Sequence, residues 1–349
     1  MRTKFLLGAL TAGLIFSSCS NDFDVTEEWK ETMVIVGLLN QSDSVQYIKI
    51  NKAYLGEGDA LVMGGVYDSI NYANSLTVVL NEITNNVVTN SFTLVRDTGT
   101  VKPAGIFAYP NQVLYKTSAV LNENKEYELV VTNNESQSIA RARTRLVRNF
   151  LVIQPTGTQT INFTNPNFPF RIQWNSAVDG RLYNLRIRFY YYEQNKITLA
   201  VTDKYLDWYF TDRRASTLAG GEPMEINFPG EQFYQFVQSR LDPNDSVWRH
   251  PGKSANVNQM LDFVLTVAGE EFATYMEVAA PSTTILQEKP IYTNIEGGIG
   301  IFSSRYTQKS AALYGKKMTD PSVDSLYAGQ YTYDLGFCSP VSTSPYFCQ

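Results

Sequence analysis

The feature that most limits the fold is a succession of short apolar runs separated by polar turns. Asparagine-rich segments at 81–86 and 133–134 supply turns, as does the polar segment at 41–44. Strand-like runs lie at residues 33–39, 45–50, 75–80, 86–95, 112–117, 126–131 and 138–146. About seven strands over about 120 residues predict an immunoglobulin-like β-sandwich, although periodicity alone also allows a different sandwich.

A second strand-rich segment follows. Residues 170–175 and 182–189 alternate apolar and polar side chains around Asp179-Gly180, which predicts a β-hairpin. Trp174 and Tyr183 in these runs resemble the packed pair of a fibronectin type III or related sandwich. The triplet 190–192 is all tyrosine and suits either a core or interface position or stacking on sugars. Apolar spacing further predicts helices at 232–241 and 270–279, with a strand at 261–267.

These patterns predict a mostly β chain. Its fold class is tandem immunoglobulin- or fibronectin-like β-sandwiches with a few short helices in the C-terminal half. A Gly- and Asp-rich segment at 56–74 is expected to be a long loop, either ordered against a partner or idle. The predicted parts are a signal peptide (1–18), a tether (19–31), the first sandwich (32–148), a second β-domain with helical insertions (149–308) and an irregular C-terminal cover with a disulfide (309–349).

The N-terminus has the organisation of a secretory signal. Arg2 and Lys4 precede a short apolar run, and small residues follow at positions 17 and 18. The run is too short for a transmembrane helix, which needs about 18 apolar residues. The segment 16–19, Phe-Ser-Ser-Cys, resembles the lipobox of bacterial lipoproteins, although Phe16 replaces the usual Leu or Val. The resemblance implies that Cys19 is acylated and begins the mature protein; an incidental cysteine after a plain signal is the alternative.

The residues after the cysteine bear on the destination of the protein. Ser20, Asn21, Asp22, Phe23 and Asp24 are similar to the acidic export signal that sends Bacteroidota lipoproteins to the outer face of the outer membrane. A solvated acidic tether and a location on the periplasmic leaflet are the alternatives. Several acyl chains, such as palmitate, would anchor the protein permanently.

Charge and cysteine content narrow the function further. The net charge is -5, and removal of the two signal-peptide cations brings it to about -7, which argues against nucleic-acid partners. With Cys19 used by lipid, Cys338 and Cys348 remain, and an oxidising compartment favours a disulfide between them. The alternative, free thiols or a metal pair, lacks nearby histidine partners, because the chain has one His.

One basic cluster stands out at the end of the first sandwich. Arg141, Arg143 and Arg145 are spaced to share one face of a strand, and Arg148 follows. That face could bind a carbohydrate acid, a lipopolysaccharide phosphate or an acidic partner. The alternative is a solvated edge strand whose positive charge blocks aggregation.

Catalytic patterns are weak. His250 is the only histidine available as a base and has no nucleophile motif near it in sequence. The run Gly297-Gly298-Ile299-Gly300 is not followed by the Lys-Ser/Thr of a phosphate loop, and it predicts close backbone packing or a bulge within a strand. We therefore expect a protein that is not an enzyme, with no catalytic residues, metal or cofactor.

Two regions carry a family resemblance. The first joins residues 265–279 to 290–305, including Tyr292-Thr293-Asn294-Ile295-Glu296 and the glycine run through Phe302; the second covers residues 21–25 and 47–52. They resemble a group of Bacteroidota outer-membrane lipoproteins with N-terminal immunoglobulin-like domains. The resemblance implies a surface or periplasmic accessory protein paired with an outer-membrane β-barrel, such as a TonB-dependent transporter, or with other lipoproteins.

Three functions remain open on the sequence. The first is an accessory subunit of an outer-membrane β-barrel complex in transport, secretion or barrel assembly. The second is a surface lipoprotein that binds a glycan or nutrient and presents exposed coplanar aromatic rings. The third is a hydrolase with two carboxylates in a concave site.

Overall fold

The computed structural model describes residues 32–53, 59–165, 168–280 and 291–348. The protein is mostly β, with 42% of residues in strands and 12% in five short helices, and its sheets are arranged as β-sandwiches. This confirms the predicted fold class. The predicted signal peptide and tether, with Cys19 and the acidic segment from Ser20 to Asp24, lie outside the described residues.

The first β unit has two antiparallel sheets. Each of the seven strand-like runs of the sequence overlaps a strand of this unit, and the run 86–95 covers one strand and reaches the first residue of the next. One sheet has the order β2-β6-β5 with β1 beside β2, and the other has the order β4-β3-β7-β8. The elements are β1 (Met33–Leu39), β2 (Gln46–Lys52), α1 (Ala60–Gly64), α2 (Tyr67–Ile70), β3 (Leu76–Thr84), β4 (Val87–Thr93), β5 (Val95–Asp97), β6 (Leu114–Thr117), β7 (Glu126–Asn133) and β8 (Ile139–Arg145).

The second β unit is built from a three-stranded sheet and a larger sheet. The small sheet has the order β14-β10-β9, and the large sheet begins β12-β11-β16-β17. The elements are β9 (Val152–Gln154), β10 (Phe170–Asn175), β11 (Leu182–Asn195), β12 (Val201–Tyr209), β13 (Arg213–Arg214), β14 (Pro223–Phe228), α3 (Glu231–Gln238), β15 (Val247–Pro251), β16 (Leu261–Ala268), α4 (Glu270–Ala279), β17 (Gly298–Thr307) and α5 (Asp320–Ala328).

Strand β17 connects the two units. Its first seven residues pair in parallel with β1, from Met33 beside Gly298 to Leu39 beside Ser304. Its last three residues pair antiparallel with β16 of the second unit. The two hydrophobic clusters adjoin along the chain at Leu146, which belongs to the first, and Val147, which belongs to the second. One continuous sheet therefore runs through both units, while the boundary near residue 148 stays a prediction.

The glycine run that begins β17 packs backbone against backbone, as its sequence predicts. Gly297 has φ +73° and Gly300 φ +118°. A β-carbon at position 300 would lie 2.0 Å from the carbonyl oxygen of Ile35, and one at position 297 would lie 2.3 Å from that of Ile139. Only glycine fits such an approach at positive φ.

The predicted hairpin between β10 and β11 is wrong. The turn at Asp179-Gly180 exists, with Asp179 at φ +60°. However, β10 pairs with β9 and β14, whereas β11 pairs with β12, β13, β15 and β16 in the opposite sheet. The connection therefore crosses from one sheet to the other. Trp174 of β10 and Tyr183 of β11 are both buried between the sheets, with 5.6 Å between their ring centroids.

Four other predictions are corrected in detail. The helix expected at 232–241 is α3 and ends at Gln238, and the loop expected at 56–74 holds α1 and α2. Helix α4 has the predicted bounds, but its apolar face is only half covered, with Ala273 buried and Met276 exposed. The C-terminal segment is less irregular than predicted, because it contains α5 and buries core residues such as Leu326.

Candidate functional site

A cleft with a volume of about 560 Å³, which we call the junction cleft, lies where the two units meet. Its floor and walls come from β8, from the turn before β11 and from the start of α4. The lining residues are Glu126, Arg143, Thr144, Arg145, Arg148, Val178, Asp179, Leu218, Ala219, Glu270 and Glu271. Three of the four arginines singled out by the sequence thus line a concave site, and Arg141 is not among its lining residues.

Strand β8 orients the arginines. Its burial alternates residue by residue, so Arg141, Arg143 and Arg145 all lie on the exposed face as the spacing predicts. At Arg141 the strand does not have a free edge: its N–H donates to the Glu296 carbonyl and its carbonyl accepts from the Glu296 N–H, at 2.9 and 2.8 Å. The edge-protection alternative therefore fails at Arg141, where backbone already covers the edge.

The arginines differ in their partners. Arg143 donates to Glu128, with Nε 2.9 Å from Oε1. Within the described residues, the Arg145 and Arg148 side chains make no hydrogen bond and no ion pair within 4.0 Å, and Arg148 Nε is buried without an acceptor. A guanidinium presents several N–H donors in a planar fork suited to carboxylate or phosphate. The cleft therefore offers two unsatisfied forks for an anionic group.

Asp179 faces these two arginines. Burial raises the pKa of its carboxyl, and the positive charges of Arg145 and Arg148 oppose that rise without cancelling it. The attraction to the two guanidinium groups is thus smaller than the free energy that the Asp179 carboxylate loses when it gives up hydration on burial. An incoming anion would compete with Asp179 for the same two arginines.

The acidic residues from α4 are held in place. Glu271 Oε2 accepts hydrogen bonds from Thr144 Oγ1 at 3.1 Å and Ser303 Oγ at 2.8 Å. Glu270 pairs with Arg181 in the turn before β11. These contacts tie α4, β8 and β17 together at the cleft, so its wall is set by three elements and does not depend on one loop.

The C-terminal cysteines form the expected disulfide, Cys338–Cys348, with 5.2 Å between α-carbons. The expectation that no histidine lies near them is wrong. His250 is buried, its Nδ1 lies 3.0 Å from the Cys338 carbonyl, and Cys348 Sγ lies 3.7 Å from the same nitrogen. The three side chains approach the spacing of a metal site, but the disulfide uses both sulfurs that would bind the ion.

The neighbours of His250 are structural. Its ring packs on Tyr192 with 4.7 Å between centroids, and burial lowers the pKa of the imidazole. Tyr191 and Tyr192 are themselves buried, and Tyr190 donates to Asp262. The tyrosine triplet is thus used in packing. Sequence reasoning missed the His250–disulfide contact because β15 and the C-terminal tail are almost 90 residues apart.

Comparison with known proteins adds little. The sequence matches no family model and none of the curated proteins. The C-terminal globular domain of an oligosaccharyltransferase from Pyrococcus abyssi is 13% identical to this chain, with a TM-score of 0.25. The match covers 69% of this chain and 48% of the oligosaccharyltransferase domain, so this chain spans about half the length of that domain. A cytokine receptor complex is 8% identical with a TM-score of 0.19, covering 68% and 86%. At these TM-scores neither likeness supports an inference.

Within the described ranges, none of the helices combines the length and the apolar character that a bilayer crossing requires.

Proposed function

We propose that this protein is a non-catalytic lipoprotein, anchored in the outer membrane through acylated Cys19 and facing the cell exterior. It acts as an accessory subunit of an outer-membrane β-barrel complex, alone or with other lipoproteins. The sequence features that support the anchor are the short signal, the Cys19 context and the acidic residues from Ser20 to Asp24.

The observation that carries the accessory function is the pair of unsatisfied arginines in the junction cleft. Arg145 is exposed and Arg148 half-buried, so a partner reaches both without unfolding the protein. The site is about 560 Å³, which suits one short acidic segment of a partner. Ion pairs desolvated in such a cleft contribute more than exposed ones and favour a defined orientation. We therefore assign the cleft to an acidic loop of the β-barrel or of a second lipoprotein.

Strand β17 holds the two units together, which favours this assignment. Because one strand pairs with β1 and β16, the two units present the cleft as a fixed shape. A preformed site loses less conformational entropy on binding than a site assembled from mobile domains.

The test is a mild-detergent pull-down of the tagged lipoprotein from its native membrane. We expect a stoichiometric outer-membrane β-barrel with the wild-type protein and its loss from the variant Arg145→Glu/Arg148→Glu. The matched control is Arg240→Glu, which reverses an exposed arginine outside the cleft. Intact-mass measurement of the mature N-terminus checks the acyl chains on Cys19.

Each outcome bears on a separate part of the proposal. A β-barrel retained by the double variant would rule out the cleft as its docking site. A protein recovered alone in all cases would rule out a stable accessory complex. An N-terminus without acyl chains would rule out the anchor.

A second candidate function is glycan binding. A cavity of about 600 Å³ in the second unit is lined by aromatic and polar side chains, including Phe163, Phe168, Tyr234, Tyr331 and Glu231. Phe168 is 68% exposed, and the Tyr331 hydroxyl donates to Glu231, so an apolar ring lies near a fixed carboxylate. Sugars combine apolar faces with hydroxyls, which fits this lining. Glycan-array binding that is lost in Phe168→Ala but kept in Phe347→Ala, at another exposed ring, would support it.

A further inference from the structure

The most apolar exposed region of the first unit lies at one of its ends. It consists of α1 with the start of α2, and of the loop 101–111 that packs against them. The Ala108 N–H donates to the Gly64 carbonyl at 2.9 Å, and a β-carbon at Gly64 would lie 3.4 Å from the Phe107 ring. Seven side chains here are 44–68% exposed, and together we call them the end surface: Leu61, Val62, Val66, Val101, Ile106, Phe107 and Tyr109.

Among the residues that the structure describes, packing does not explain the end surface. Single exposed apolar residues are ordinary, but a cluster of aliphatic and aromatic side chains on two contacting segments marks an interaction site. Within the described residues, the second unit reaches this end of β1 through β17, whose Gly298 lies beside Met33. The core of that unit adjoins the far end of β1, where the Gln41 side chain donates to the Val147 carbonyl.

The described chain begins at this same end. Thr32 precedes β1, and its carbonyl accepts from the Ala53 N–H at 2.9 Å, seven residues before α1. Asn51 at the end of β2 donates to the Ile70 carbonyl of α2 at 2.8 Å. Cys19 is 13 residues before Thr32, and 13 residues reach at most about 45 Å when extended. An anchor at Cys19 therefore lets this end of the molecule rest on the bilayer.

The side chains around the end surface suit a lipid interface. Lys102 Nζ lies 5.8 Å from the Phe107 ring centroid, and Tyr109 on the same loop is 57% exposed. Lysines with long apolar stems and amphipathic tyrosines are the residues that settle between headgroups and acyl chains. Asp59 is occupied locally, since its carboxylate accepts from the Leu61 N–H.

From the position of Thr32, where the described residues begin, from the apolar composition and from Lys102, we infer that the end surface lies in the lipid headgroup region of the bilayer that holds the anchor. The inference rests on the proposed Cys19 anchor and adds an orientation to it. Strand β1 then points away from the membrane, about 23 Å for seven residues at about 3.3 Å each. The junction cleft and the second unit stand above the surface, where a partner can reach them.

The test is fluorescence quenching by brominated phospholipids. The full mature protein carrying Phe107→Trp is added to phosphatidylethanolamine–phosphatidylglycerol vesicles. The matched control is Ile197→Trp, at a position that is 92% exposed in the turn between β11 and β12, at the opposite edge of the long sheet. Both substitutions replace an exposed side chain, so folding is preserved. Emission is compared with that of the unsubstituted protein, because the chain has four other tryptophans.

We expect quenching several-fold stronger for Phe107→Trp than for Ile197→Trp, with the bromine position of greatest effect near the headgroups. Equal, weak quenching of both would overturn the inference. Shielding of Phe107→Trp from aqueous iodide only when a co-purified protein is present would overturn it as well and assign the end surface to that protein. The pull-down tests partner binding at the junction cleft, whereas the quenching experiment tests the position of the end surface. A negative result in one experiment therefore does not decide the other.

Discussion

Gly300 of β17 lies so close to Ile35 of β1 that a β-carbon at position 300 would come within 2.0 Å of the Ile35 carbonyl oxygen. The parallel pair of these strands joins the two β units, and the close approach depends on the missing side chain. The φ of +118° adds to the requirement for glycine.

We expect Gly300→Ala to lower the free energy of unfolding by about 3–5 kcal/mol, since it combines backbone strain with a clash that only strand separation relieves. Urea denaturation measures the loss. Gly157→Ala is the control, because a β-carbon there meets no atom within 4 Å, and its effect should stay within about 0.5 kcal/mol. Equal effects of the two substitutions would contradict the argument.

Local pattern accounts for most of what could be predicted of the fold. Apolar alternation and turn residues are short-range signals, and they located most strands of the first unit within a few residues, although the run 86–95 merged β4 with the start of β5. Pairing is not local. Asp179-Gly180 specifies a turn but not the sheet of the strand that follows, and the partner of β1 begins 265 residues away, Gly298 beside Met33.

The candidate site shows the same division. The period of two placed Arg141, Arg143 and Arg145 on one face, which the structure confirms. The register of β7 puts Glu128 opposite Arg143 and Glu126 opposite Arg145, yet of the two arginines only Arg143 forms an ion pair in the described residues, so side-chain orientation and not register separates them. The cleft itself depends on the arrival of α4 from more than 120 residues later. The sequence could therefore identify the arginines but not which of them lack a hydrogen-bond acceptor in the folded protein.

Asp179 should make stability depend on pH. Its folded pKa lies above the usual 3.8 because of burial, so the native state holds the proton more tightly than the unfolded state. The resulting stabilisation is present in full below the unfolded pKa and is lost as pH rises through the folded pKa. At pH 7 we expect Asp179→Asn to be at least as stable as wild type, with the advantage shrinking as pH falls towards 3.

Asp179→Ala separates the charge from the backbone. Asparagine tolerates the φ of +60° found here, whereas alanine in this conformation costs about 1 kcal/mol. Urea midpoints at pH 7 should therefore place Asp179→Ala below Asp179→Asn. A less stable asparagine variant at pH 7 would show that attraction to Arg145 and Arg148 outweighs burial.

The C-terminal disulfide closes a short loop that backbone hydrogen bonds also hold. Ser339 N donates to the Tyr346 carbonyl at 2.7 Å and Cys348 N to the Ser339 carbonyl at 3.1 Å. With 10 residues of separation, we expect Cys338→Ser/Cys348→Ser to lose about 2–3 kcal/mol of unfolding free energy. Urea denaturation should show wild type plus dithiothreitol falling to the level of the double variant, on which the reductant has no effect. A reductant effect on the double variant would point to another source of the loss.

The hydroxyl of Tyr183 accepts a hydrogen bond from the Ala177 N–H at 2.6 Å, inside the crossing between the two sheets. Tyr183→Phe removes the acceptor and leaves a buried N–H without a partner, so we expect a loss of about 1–2 kcal/mol in urea denaturation. Burial raises the pKa of Tyr183 to about 12, and the loss should therefore be constant between pH 5 and about 9. Tyr209→Phe, at an exposed hydroxyl, is the control and should be neutral. A loss of equal size at both positions would mean that the hydrogen bond across the crossing does not hold the two sheets together.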